Sequence, residues 1–123
     1  MKITIPLKLP NLNDYIKAIN SNRYKGNTMK QDIQNDIGWY IKKLPKYDKP
    51  VKIIFTWYEA DNKRDLDNIC FAKKFILDSM VNCGVISNDN RKCVVGFEDI
   101  FPKARGEYKV EVEIKELNIE WVI

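Results

Sequence analysis

The stretch Val51-Lys52-Ile53-Ile54-Phe55-Thr56-Trp57-Tyr58 sets Val51, Ile53, Phe55 and Trp57 in alternation with Lys52, Ile54, Thr56 and Tyr58. β-Branched and aromatic residues at a period of two, with few charges on either face, read as a largely buried strand over 50–58. Just past it stands Lys63-Arg64-Asp65-Leu66-Asp67-Asn68. From there Leu66, Ile69, Cys70, Ile76, Leu77, Met80 and Val81 recur on one helical face, and Gly84 occupies a place suited to a C-terminal cap, which predicts a helix over 66–82. A strand, an acid-rich junction and a helix in that order make this a mixed chain.

Outward from this unit, residues 2–9 read as a strand closed by Pro10. Asn11-Leu12-Asn13-Asp14 favours a turn or cap, with a loop or short helix to follow. Met29, Ile33, Ile37, Tyr40, Ile41 and Leu44 recur at spacings of three and four, so a helix is predicted over 28–44, weakened at Gly38 and stopped near Pro45. Residues 93–100 and 107–115 read as strands joined through Pro102 to Gly106, and an antiparallel hairpin is expected. The tail with Trp121 and Val122 is left unassigned. The fold class expected is α+β (mixed α/β), a single small domain over 1–123 whose sheet contains the C-terminal hairpin and which carries two main helices.

Composition narrows the chemistry. The apolar fraction of 45%, with 3 Trp, 6 Tyr and 5 Phe, excludes a disordered chain, and no apolar run approaches the roughly 20 residues that span a bilayer. The first residues alternate like a strand and lack a secretory signal's apolar core, so a soluble, cytoplasmic protein is expected. Cys70, Cys83 and Cys93 form no CxxC pair and there is no histidine, which argues against disulfides, structural zinc and imidazole-based catalysis. Carboxylates, lysines and a metal ion remain.

A net charge of +4 suits a polyanionic partner, yet acids beside phosphate repel it unless a divalent cation intervenes. Magnesium prefers hard oxygen ligands, and two or three carboxylates near a substrate phosphate suffice. Asp65, Asp67 and Asp89 are the candidate metal ligands. Asp65 and Asp67 share one ion most easily at a strand-to-helix junction, where backbone amides also favour phosphate oxygens. Each acid has a plainer reading as well: helix capping for Asp65 and Asp67, turn chemistry for Asp89 in Ser87-Asn88-Asp89-Asn90. Lys74 shares a helical face with Asp67 and Asp78 and suits transition-state stabilisation, though an ordinary i,i+4 ion pair with Asp78 has the same spacing. Lys73 lies in the apolar arc and must be buried, snorkel out or meet a carboxylate. Lys63, Arg64, Arg91, Lys92, Lys103 and Arg105 are candidate contacts to DNA phosphates, with Lys73 beside them.

Arg64-Asp65-Leu66-Asp67-Asn68, a lysine-bearing helix with Leu77-Asp78, and Gly84-Val85-Ile86-Ser87-Asn88-Asp89 resemble the RusA family of Holliday-junction resolvases. The resemblance is most specific over 63–100 and looser towards the N-terminus. It implies a homodimeric, magnesium-dependent endonuclease, manganese being the alternative ion, that makes paired nicks in four-way DNA junctions during recombination, repair or phage DNA processing. Asp65, Asp67 and Asp89 match the family's metal-binding acids. This chain carries three extra residues between Asn68 and Leu77-Asp78 relative to the shorter family pattern. Aligned backward from Leu77-Asp78 the family lysine falls on Lys74, with Lys73 as the alternative, whereas forward alignment falls on Phe71. If 66–82 is one helix of about 25 Å, the return to Asp89 must retrace it, or Asp89 must join a partner subunit's site. The rival functions are a flap or branch nuclease and a non-catalytic branched-DNA-binding protein.

Overall fold

The computed structural model describes residues 1–117, so Trp121 and Val122 lie outside the described residues. The element order is β1 (Lys2–Ile5), α1 (Leu12–Ser21), α2 (Arg23–Ile41), β2 (Val51–Tyr58), α3 (Leu66–Cys70), α4 (Lys73–Asn82), β3 (Val94–Ile100) and β4 (Lys109–Glu116). The mixed α+β class expected from the sequence is the class observed. One four-stranded sheet has the order β1-β4-β2-β3. Val51, Ile53, Phe55 and Trp57 all turn to the core, where they meet Ile37 and Ile41 of α2, Phe75, Ile76 and Met80 of α4, and Val112 of β4. Burying a side chain such as Phe55 or Phe75 contributes roughly 1.5–3 kcal/mol, and this contiguous core fixes the helices on one face of the sheet.

The expected hairpin of the last two strands does not form. β3 runs parallel to β2, with Ile53 opposite Phe97 and Phe55 opposite Asp99. β4 instead lies on the other side of β2, antiparallel to it, with Phe55 opposite Val112. The segment read as a hairpin turn is a crossing loop, held by bonds from the Arg105 and Gly106 amides to the carbonyls of Glu59 and Ala60. β2, α3, α4 and β3 thus form a parallel crossover unit, which needs an intervening helix rather than a tight turn.

Boundaries also differ at β1 and α2. β1 ends at Ile5, short of the expected residue 9. α1 begins in a capping box: the Asp14 amide donates to Asn11 Oδ1 at 2.8 Å and the Asn11 amide to Asp14 Oδ2 at 3.2 Å. α2 starts at Arg23 rather than 28, because the Asn22 side chain accepts from the Tyr24 amide at 2.8 Å and caps a mostly exposed first half. α1 and α2 approach so closely that a Cβ on Gly26 would stand 2.8 Å from Ile19 Cγ1. Gly26→Ala is therefore expected to lower stability by about 1–3 kcal/mol, measured as a shift in the denaturation midpoint.

The expected helix over 66–82 is broken at Phe71 and Ala72 into α3 and α4. At the break the amides of Ala72, Lys74 and Phe75 bond three residues back rather than four, to Ile69, Phe71 and Ala72. Three rings meet at the break: Tyr15 of α1 lies 5.7 Å from Phe71 and 5.8 Å from Phe75 between ring centroids, while Phe71 and Phe75 meet edge-on at 5.6 Å. α4 ends as expected at Gly84, whose φ of +73° lets the Gly84 amide bond Val81 and the Val85 amide bond Met80.

Candidate functional site

The acid-rich motif sits where the sequence placed it, at the junction between β2 and the helical layer. Arg64 fixes the loop after β2 by donating from Nε and Nη2 to the two Glu59 oxygens, each at 2.6 Å, and from Nη1 to the Leu9 carbonyl at 3.0 Å. The paired carboxylate holds the guanidinium above its already high ordinary pKa. Only 14% of the Arg64 side chain and 11% of that of Glu59 remain exposed. The sequence reading offered Arg64 to DNA; the fold spends it as an internal clamp beside Asp65.

Asp65 is the N-cap residue of α3, in extended conformation, yet its side chain makes no capping bond. Asp67 lies in the first turn of the same helix, where the helix dipole favours a negative charge. Both residues are exposed, and among the described residues neither carboxylate enters an ion pair. The plain reading of both acids as helix-start residues holds by position, Asp65 at the N-cap and Asp67 in the first turn, although the Asp65 side chain makes no capping hydrogen bond.

Asp89 comes back to Lys74 of its own chain, but among the described residues it forms no metal-holding group with Asp65 and Asp67. Because the helix breaks, α4 has only 10 residues, about 15 Å at 1.5 Å per residue. Val85 and Ile86 are buried and the Val85 carbonyl accepts from the Tyr47 amide at 2.8 Å, which anchors the start of the return. The turn bonds of the loop come from the neighbours of Asp89: Asn88 Oδ1 accepts from the Asn90 amide, and Asn90 Oδ1 from the amides of Lys92 and Cys93. The Asp89 carboxylate instead faces Lys74, Oδ2 to Nζ at 3.6 Å.

The two adjacent lysines separate. Lys74 stands between Asp78 at 3.2 Å and Asp89 at 3.6 Å and keeps 57% of its side chain exposed. Its pKa is raised, first by the hydrogen bond to Asp78 and then by the field of both acids. So both the i,i+4 pair and the contact across the site are realised. Asp78 in turn accepts from Gln34 Nε2 at 3.1 Å and pairs with Lys30 at 3.6 Å, which ties the lysine to α2. Lys73 turns inward, donating to Asp99 Oδ2 at 2.7 Å with its ammonium 4.5 Å from the Phe97 ring centroid. Asp99 Oδ1 also accepts from Trp57 Nε1 at 2.9 Å. Lys73 meets a carboxylate, one of the outcomes its place in the apolar arc required. Its partner Asp99 was missed, since nothing local in Phe97-Glu98-Asp99-Ile100 marks that acid.

Lys63, Arg91 and Lys92 are exposed, as are Lys103 and Arg105. Among the described residues no three His, Cys, Asp or Glu side chains form a group placed to hold a metal ion. What the chain brings together is Lys74 with Asp78 and Asp89, while Asp65 and Asp67 stand on the preceding helix start with their carboxylates open to solvent. No helix of the described residues is long and apolar enough to cross a membrane. No protein-family model matches the chain, and no curated protein matches it.

Proposed function

We propose that this chain is a magnesium-dependent, structure-specific endodeoxyribonuclease that resolves Holliday junctions as a homodimer, in the manner of the RusA family. One observation carries the reading: the motif's acids are not consumed by the local structure. The Asp65 side chain makes no capping hydrogen bond, and the turn around Asp89 is tied by its asparagine neighbours, while its carboxylate reaches the lysine the resemblance selects. By donor chemistry Asp65 and Asp67 fit magnesium, a hard cation commonly held by one or two carboxylates together with waters and substrate phosphate. Such an ion supplies an activated water and neutralises developing charge on the scissile phosphate. By the resemblance Asp89 would be the third acid, and here it pairs with Lys74 in the first turn of α4. Lys74, kept protonated by its two acids, gives positive charge to the phosphate oxygens as negative charge accumulates there.

Purified protein with labelled four-way, flap and linear duplex DNA in magnesium tests this reading. Symmetrical incision of the four-way junction is expected. Preferential cutting of flaps would move the assignment to a branch nuclease. A mobility shift independent of metal, with no cutting, would leave a branched-DNA-binding protein.

A further inference from the structure

Three hydrogen bonds join Gln34 of α2 to α4. Its carbonyl accepts from Ser79 Oγ at 3.0 Å, its side-chain Nε2 donates to Asp78 Oδ2 at 3.1 Å, and its Oε1 accepts from Asn82 Nδ2 at 3.4 Å. The bond to the acid fixes which way the amide points. An ionised carboxylate only accepts, so Nε2 must face Asp78, and the amide oxygen is left to Asn82, one helical turn further on.

Asp78 divides its two oxygens between the helices. Oδ2 is taken by α2, from Gln34 Nε2 and from Lys30 Nζ at 3.6 Å, which leaves Oδ1 to Lys74 Nζ at 3.2 Å. The acid keeps 18% of its side chain exposed and the lysine 57%. An exposed i,i+4 pair is by itself too weak to hold a four-carbon stem in one place against its rotamer entropy. An acid already fastened from another helix needs only the lysine to be ordered. Helix packing does not call for this arrangement: α2 and α4 share a core cluster that includes Ile37, Ile41, Ile76 and Met80, and the bond from Ser79 to the Gln34 carbonyl joins them without the amide. What the amide adds is a donor to the far oxygen of Asp78.

Resting on the nuclease reading above, we infer that Gln34 is a positioning residue for the cutting reaction: through Asp78 it holds the Lys74 ammonium beside Asp89, where that reading brings the scissile phosphate. Gln34 itself touches no reacting atom. Lys74 is held between an acid tied to α2 and a second acid, Asp89, 3.6 Å away in the loop after α4. Stabilisation of a transition state depends on donors that are in place before the charge develops. A lysine that must first be ordered therefore contributes less to kcat, while its charge still attracts DNA and leaves KM almost unchanged.

The test is Gln34→Leu, beside Ser79→Ala, which loosens the same helix contact without touching the amide. Cutting of a labelled four-way junction in magnesium gives kcat and KM, and denaturant unfolding gives the stability of each variant. Gln34→Leu should lower kcat about tenfold, a part of the roughly 10²–10³ that a whole electrostatic partner supplies, with KM held, while Ser79→Ala keeps kcat. Gln34→Glu retains the length but turns an oxygen towards Asp78, and its kcat should fall at least as far. In a Lys74→Met background Gln34→Leu should change kcat no further, because a residue acting through the lysine has nothing left to place. Full kcat in both Gln34 variants, an equal loss in Ser79→Ala, or the same loss with and without Lys74 would overturn the assignment. Nitrogen-15 relaxation of the Lys74 ammonium gives a reading that needs no cutting: the group should be ordered in the parent chain and mobile in Gln34→Leu. A parent chain that cuts no DNA yet shows this loss of order removes the nuclease and keeps the brace, whereas equal mobility in the two removes the brace.

Discussion

Asp67→Asn should reduce junction cutting by a thousandfold or more while junction binding persists. Asparagine keeps the shape and one oxygen but removes the charge that makes a hard anionic ligand, so the ion that activates water is held weakly and badly placed. Loss of one well-placed electrostatic partner in an active site costs about 10²–10³ in rate, and here the same change also weakens the ion that generates the nucleophile. Binding behaves oppositely. With no divalent cation present an acid next to phosphate repels it, so the variant should bind the junction as tightly as the parent chain, or more tightly, in chelator. Nicking assays at saturating DNA, paired with anisotropy in chelator, separate the two effects. Cutting within tenfold of the parent rate, or binding lost with cutting intact, would remove Asp67 from the role assigned to it.

Glu59→Gln should destabilise the fold by about 2–4 kcal/mol and disturb the site with it. The carboxylate receives two short bonds from Arg64, and both side chains are largely withdrawn from solvent. Removing one member of a buried pair strands the other charge, which costs about 3–5 kcal/mol when burial is complete; the remaining exposure here trims that figure. Because Arg64 adjoins Asp65 and also reaches the Leu9 carbonyl, the loss frees the loop that aims the motif. Denaturant unfolding gives the stability. The double change Glu59→Leu with Arg64→Met should lose less stability than Glu59→Gln alone, because no orphaned charge is left. Equal stability of Glu59→Gln and the parent chain would mean that the clamp contributes nothing.

Much of this arrangement was legible in the residues because it is local. Alternation gave the central strand almost to the residue, and Gly84 stopped a helix where the chain needs a positive φ. The hairpin expectation went wrong for a physical reason. Alternation tells which face of a strand is buried but not which neighbour it pairs with, and the loop with Pro102 and Gly106 can turn back or cross over with the same composition. The break at Phe71 was invisible because the ring packed against it, Tyr15, is remote in sequence. The start of α2 was missed because its first half is polar and carries little hydrophobic periodicity. The same division holds in the site. Spacing found the Lys74–Asp78 pair, whereas the partners of Arg64 and Lys73, Glu59 and Asp99, come from loop closure and from strand pairing. Asp65 and Asp67 were readable as a pair at a helix start, and the unused capping capacity of Asp65 emerged only from the fold.

The bend between α3 and α4 has its fulcrum outside the segment it bends. Tyr15, on a helix with no fully buried residue, is wedged against Phe71 and Phe75. The acid-bearing turn and the lysine-bearing helix are therefore two lever arms resting on one borrowed ring. The acids and the lysine are thus braced by a residue some fifty positions earlier in the chain, on a helix that itself buries no residue.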